Sequence, residues 1–240
     1  VKAILLHFDT PGGTVVDSQN IYEMLLDYKT KYKVPVFGFV NGLCASGGMY
    51  IASSADKMFS GPAGLIGSVG VVLGPFFNIS SALNTIGVQA KTITEGLDKD
   101  MMNPTRPWKE NEDASLKAAT AFFYQQFVDL VLKARPKMDR NALINVYGAQ
   151  VFDPIKAQEF GYIDVAMASR SQALLALLQE ANIDPDKPYQ VVSLTPTPGF
   201  LSQLVKGQSP LITGQIEHRI DLGQPNIQGK FAYLYDPNRS

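Results

Sequence analysis

Residues 34–52 read VPVFGFVNGLCASGGMYIA, and the fold turns on how this stretch is understood. The run up to Val40 is apolar and β-branched, the pattern of a buried strand, and it leads to the glycine-paired Ala45-Ser46-Gly47-Gly48. The same grammar stands earlier, where residues 1–8 (VKAILLHF) precede Asp9-Thr10-Pro11-Gly12-Gly13. A serine flanked by small residues at the end of a buried strand can be presented as an unhindered nucleophile. A Gly-Gly turn on a neighbouring strand leaves backbone N–H groups open to an incoming carbonyl oxygen. Tight turns by themselves also account for each glycine pair; it is the serine inside one of two such pairs that points to acyl transfer.

Outward from this stretch, strands and helices alternate. The spacing of Ile21, Met24, Leu25 and Tyr28 predicts a helix over 17–32, and a short helix starts at Ser46. Strands are expected at 35–40, 57–60, 68–73 and 89–94, and helices at 80–86, about 110–134, 140–147 and 171–181. Residues 105–113 form a polar loop with Pro107 and Trp108. Asp153 ahead of Pro154 has the form of an N-cap, and Gly161 closes that helix. This alternation predicts an α/β layered domain. Beyond Asp184 the chain is rich in Pro, Gly and Gln and carries no usable signature; its end, 231–235, either folds back on the domain or occupies a neighbour's groove.

Composition removes several function classes. The 240 residues are 45% hydrophobic and 18% charged with a net charge of −1, which gives no reason to expect nucleic acid or an anionic membrane as partner. The single Cys44 excludes an intrachain disulfide framework and reads as a small packing residue. No apolar run reaches the ~18 residues of a membrane span and no signal-peptide pattern is present. Because the first residue is Val1, inside a strand-like run, the chain is expected to be a trimmed piece with any anchor upstream.

A serine nucleophile needs a base. His7 lies in the first strand-like run and His218 in the unpatterned segment, and neither carries a motif. A lysine serves only when neutral, which requires burial to bring it from ~10.4 to ~7–8. Lys99, in Gly96-Leu97-Asp98-Lys99-Asp100-Met101-Met102, is the best candidate, although its flanking aspartates equally suit a solvated loop lysine.

Four motifs occur in order: Asp9–Gly13, Gly42–Ala52, Ala55-Asp56-Lys57 and Gly67-Ser68-Val69-Gly70-Val71. Together with Tyr147-Gly148-Ala149-Gln150-Val151-Phe152, Ala157, Gly161 and Asp164-Val165, they resemble the signal peptide peptidase A family, the Ser–Lys peptidases of Clp-protease/crotonase-like fold. The resemblance covers about residues 1–170 as a core domain of repeated β-β-α units, with 171–240 as a C-terminal helix and irregular extension packing on the core or on a neighbouring protomer. It implies Ser46 as nucleophile, Lys99, fifty-three residues on, as general base, and Ser68 as the serine that orients the lysine. The amides of Gly13 and Gly47 are the implied oxyanion hole, with Gly12 supporting the turn. Met49, Leu65 and Val71 are expected to line the substrate groove. The sequence departs from the family pattern at Thr94-Glu95-Gly96, where many members have Lys-Ser-Gly.

By the same resemblance the substrates are remnant signal peptides and other unfolded polypeptides, with no metal or organic cofactor. The single copy of the motif set resembles the short form, which implies a homo-oligomer, a ring or dome of eight, in which Lys99 can act on a neighbour's Ser46. The implied location is the inner (cytoplasmic) membrane, with the catalytic domain on its extracytoplasmic or periplasmic side and membrane attachment only through an upstream anchor. Two other readings stand beside this one. A crotonase-type acyl-CoA enzyme would bind CoA and need neither Ser46 nor Lys99. A non-catalytic scaffold of the same fold would leave Ser46 unreactive.

Overall fold

The computed structural model describes residues 1–194 and the backbone of 232–234. Its spine is β3 (Val36–Ala45), ten residues long and buried along most of its length. One edge of β3 pairs in parallel with β1 (Ile4–Thr10). The other edge is divided: residues 37–40 pair with β4 (Lys57–Ser60) and residues 43–45 with β5 (Leu65–Gly67), both parallel. Strand β6 (Val151–Phe152) completes the sheet antiparallel to β5. This is the layered α/β architecture expected from the alternating pattern.

The helices cover both faces of the sheet. On one face Phe37, Phe39 and Phe59 pack against Ala173 and Leu177 of α7 (Arg170–Glu180), so this helix belongs to the core of the first compact unit. On the other, Val40, Cys44 and Met58 join Met49 and Tyr50 of α2 (Gly47–Ala52) and Phe127, Val128 and Val131 of α4 (Ala114–Ala134). Helix α1 (Val15–Tyr32) starts where Thr14 Oγ1 accepts the Asp17 amide at 3.1 Å, and it stops at left-handed Lys33. Buried Arg135, at the end of α4, donates to Asp164 Oδ2 (3.1 Å) and to the Ala52 carbonyl (3.3 Å), while Asp164 Oδ2 also accepts the Met58 amide (2.8 Å). Asp164 of the closing motif is thus a clasp between α2, α4 and β4.

Several local expectations are corrected. The Pro-Gly-Gly segment is not a simple turn: Gly12–Thr14 forms β2, which pairs antiparallel with β7 (Ala232–Leu234). Residues 68–73 do not continue a strand, because Gly67 (φ 141°) and Ser68 (φ 56°) break the extended path and β5 ends there. Residues 89–94 are exposed and find no partner strand among the described residues, so the strand expected there does not form. Helix α3 (Ser80–Thr85), α5 (Arg140–Ala142) with a π-helical turn over Leu143–Tyr147, and α6 (Pro154–Glu159) capped by Asp153 fall where the pattern put them.

The chain divides into two compact units, residues 1–183 with 227–240, and residues 184–226. Within the second, Asp184 nucleates a turn by accepting the Asp186 and Lys187 amides. No helix among the described residues is long and apolar enough to cross a membrane.

Candidate active site

The site starts at a mismatch between β1 and β3. Phe8 faces Val40 and Thr10 faces Cys44, so Asn41, Gly42 and Leu43 stand against Asp9 alone. Asp9 Oδ1 spans the irregularity by accepting the Leu43 amide at 3.1 Å. A Cβ on Gly42 would lie 2.3 Å from that oxygen, so aspartate and glycine require one another. The bulge shifts the end of β3 so that Ala45 pairs with Gly67 and the two strands finish together.

The next residue on each strand is a serine. Ser46 (φ 55°, ψ −117°) and Ser68 (φ 56°) both leave their strands through left-handed backbone. The Ser46 amide donates to the Gly67 carbonyl at 3.0 Å, and the Ser68 amide donates to the Gln150 carbonyl at 2.7 Å. Neighbouring strands run about 4.8 Å apart, so the two serines stand side by side. Ser46 is fully buried and its Oγ has no hydrogen-bond partner, a situation that is rare for a buried hydroxyl. Ser68 is buried as well.

Ser46 is the N-cap of α2 and Gly47 is the first helical residue, whose amide has no intrahelical carbonyl to bind. A Cβ on Gly47 would come within 2.9 Å of the Gly13 nitrogen and 2.4 Å of Ser18 Oγ. The absence of a side chain at Gly47 is what lets the two glycine pairs meet. Gly12 (φ 117°) makes the turn into β2. Ser18 is buried on α1 against this junction and was not singled out in the sequence, where nothing distinguishes it from other helix serines.

Lys99 is not part of this cluster. It lies in an exposed turn, its amide donating to the Gly96 carbonyl at 3.3 Å, and its Nζ has no hydrogen bond or ion pair among the described residues. Of the expected groove residues, Met49 is wholly buried, with Cys44 Sγ 3.8 Å from its sulfur, so it faces the core and lines no open surface. Leu65 is partly exposed. Val71 lines a largely apolar groove of about 560 Å³ with Val69, Leu73, Phe76, Leu116 and Tyr124. Burial pushes the Cys44 thiol well above its usual range, in keeping with a packing role. His7 is exposed, its ring stacked on core residue Phe39 at 5.6 Å; His218 lies outside the described residues. Among the described residues no cluster of His, Cys, Asp and Glu could hold a metal.

Residues 28–184 match the profile of Peptidase family S49. The chain belongs to this family. A protease of Synechocystis sp. is 33% identical over 211 residues, which cover 88% of this chain and 74% of that protein. A signal peptide peptidase SppA of Enterococcus faecium is 33% identical over 164 residues, and a chloroplastic serine protease SPPA of Arabidopsis thaliana is 28% identical over 215. These matches cover 68% and 89% of this chain but only 47% and 31% of the relatives, so the chain spans less than half of either protein. Two solved structures align with lower similarity. A ClpP1 variant from Listeria monocytogenes gives a TM-score of 0.46 at 14% identity over 71% of this chain and 77% of its own. The 1510-N membrane-bound stomatin-specific protease, in complex with a substrate peptide, gives 0.48 at 18% identity over 88% and 84%.

Proposed function

We propose that this S49 peptidase is an endopeptidase with a Ser46–Lys99 dyad that cleaves extended, unfolded peptides, remnant signal peptides among them. The observation that carries the reading is the Ser46 hydroxyl, fully buried and unpartnered beside the junction of Gly47 with Gly13. A hydroxyl kept free of partners is available to a base and an electrophile. In the proposed cycle neutral Lys99 Nζ takes the Ser46 Oγ proton as that oxygen adds to the peptide carbonyl. The amides of Gly13 and Gly47 hold the oxyanion, each donor worth about 3–4 kcal/mol. Collapse breaks the C–N bond, the lysinium returns its proton to the leaving amine, and water deacylates the serine by the same route. Ser68, one strand over, orients the lysine.

The base is proposed to arrive from a second protomer of a homo-oligomer, an octameric ring. Support comes from the exposed turn that carries Lys99 and from its apolar neighbours: Ile93 is 85% and Leu97 95% exposed, with Phe77 and Ile86 each at 71%. Such a surface is expected to be covered. The test mixes Ser46→Ala with Lys99→Ala protomers. Each variant alone is expected to lose at least 1,000-fold in kcat/KM, and mixed assemblies to regain a measurable share. Proven mixing with no recovery would overturn the shared site, and a fully active Ser46→Ala protein would overturn the dyad.

A further inference from the structure

The turn that presents Lys99 is held by a single guanidinium. Arg106 Nε donates to Asp100 Oδ2 at 2.7 Å, and Arg106 Nη2 donates to the Asp100 carbonyl at 2.8 Å and to Glu112 Oε2 at 2.7 Å. Glu112 is buried, and its second oxygen accepts the Met102 amide at 3.2 Å. The turn is therefore gripped on both sides of Met101, at Asp100 next to the lysine and at Met102. Around this grip Trp108 Nε1 donates to the Asn103 carbonyl at 3.0 Å and Asn78 Nδ2 to the Arg106 carbonyl at 2.8 Å, which ties the loop to its own stem. Such a hydrogen-bonded network is far more than an exposed, functionless loop needs. Left-handed Asp98 and Met102 bracket the turn.

The charges matter as much as the geometry. Lys99 is flanked by Asp98 and Asp100; Arg106, Lys109 and Glu112 come from the loop ahead of α4, and the Asp113–Lys117 pair from the start of α4. A carboxylate next to a lysine favours the ammonium, the wrong state for a base. Asp100 nevertheless pairs with Arg106 and not with Lys99. Resting on the assignment of Lys99 as base, we propose that Arg106 is a positioning residue for it: by forking onto both the side chain and the carbonyl of Asp100 and onto Glu112, it fixes the turn that delivers Lys99 and keeps the Asp100 carboxylate from holding the lysine as an ammonium.

The test is the pH profile of kcat/KM and the separate values of kcat and KM for the assembled enzyme on a peptide substrate. Arg106→Gln is expected to lower kcat 10- to 100-fold with KM little changed, and to move the acid limb of the profile to higher pH. Adding Asp100→Asn to that variant is expected to return the limb to its original pH without restoring kcat. Arg106→Lys keeps the charge and loses the fork, so it holds the limb in place while kcat falls, and it serves as the measurement if Arg106→Gln does not fold. An acid limb that stays put in Arg106→Gln, or a parent-like kcat in Arg106→Lys, overturns the inference. Lys99→Ala is run beside them. If it retains activity the base assignment fails and takes this inference with it; if it is inactive while the limb is unmoved, the clamp alone is wrong.

Discussion

A non-glycine residue in left-handed backbone stores on the order of 1–3 kcal/mol, and Ser46 and Ser68 both do so at the ends of paired strands. At Ser46 the combination of φ 55° and ψ −117° suits glycine far better than serine. The hydroxyl is thus retained against the local backbone preference and without a hydrogen bond to compensate. This predicts an opposition between stability and activity at one position. Ser46→Ala and Ser46→Gly both delete the proposed nucleophile, but only glycine relieves the backbone, against a smaller entropic penalty in the unfolded chain. Ser46→Gly is expected to be about 1 kcal/mol more stable than Ser46→Ala, a Tm difference of about 2–4 °C for a chain of this size. Calorimetry on the two inactive proteins checks it, and equal melting points would mean the strain is absorbed elsewhere.

At the scale of elements, the loop between α3 and α4 behaves as one unit because Arg106 joins its parts. The Arg106 hydrogen bonds hold the Asp100 and Glu112 carboxyls below the usual carboxylate range. Groups with depressed values stabilise the folded loop fully above the pH where free carboxylates titrate, near ~4–4.5, and that contribution is lost as pH falls through the lowered values. Trp108, the single tryptophan, sits in the loop and reports on it. Its emission is expected to stay constant from pH 7 to about 4.5 and to shift only below that, whereas in Arg106→Gln the shift starts higher. A transition in the parent already complete at pH 5 would contradict the clamp. None of this was legible in the sequence, where Arg106 stands in a polar loop and its partners lie six residues away on either side. The strands and helices that carry Ser46 were legible because apolar period and capping residues are local signals. The exit of β5 at Ser68 was misjudged for the opposite reason: the turn is fixed by Gln150, far along the chain.

At the scale of the molecule, the proposed nucleophile and its proposed base differ in their surroundings. Ser46 is buried at the end of the central strand β3, while Lys99 stands on an excursion whose large apolar side chains are exposed. Residues 89–94 end in the β-branched Thr92, Ile93 and Thr94 but have no sheet to join within the described residues, which is why a strand expected from sequence is absent. A second protomer would supply both the missing cover and the missing base. Substitutions at such exposed positions normally alter folding stability by no more than about 0.5 kcal/mol. The double variant Ile93→Asp/Leu97→Asp is therefore expected to melt with the parent, yet to fall from a particle several times the 26.2 kDa of one chain to the single protomer. Its peptidase activity is expected to drop at least 100-fold in the same preparation, since separation removes Lys99 from Ser46. Light scattering and activity measured together decide the matter. A variant that remains assembled and active shows that these side chains do not make the contact, and a monomer with full activity shows that one chain completes the site unaided.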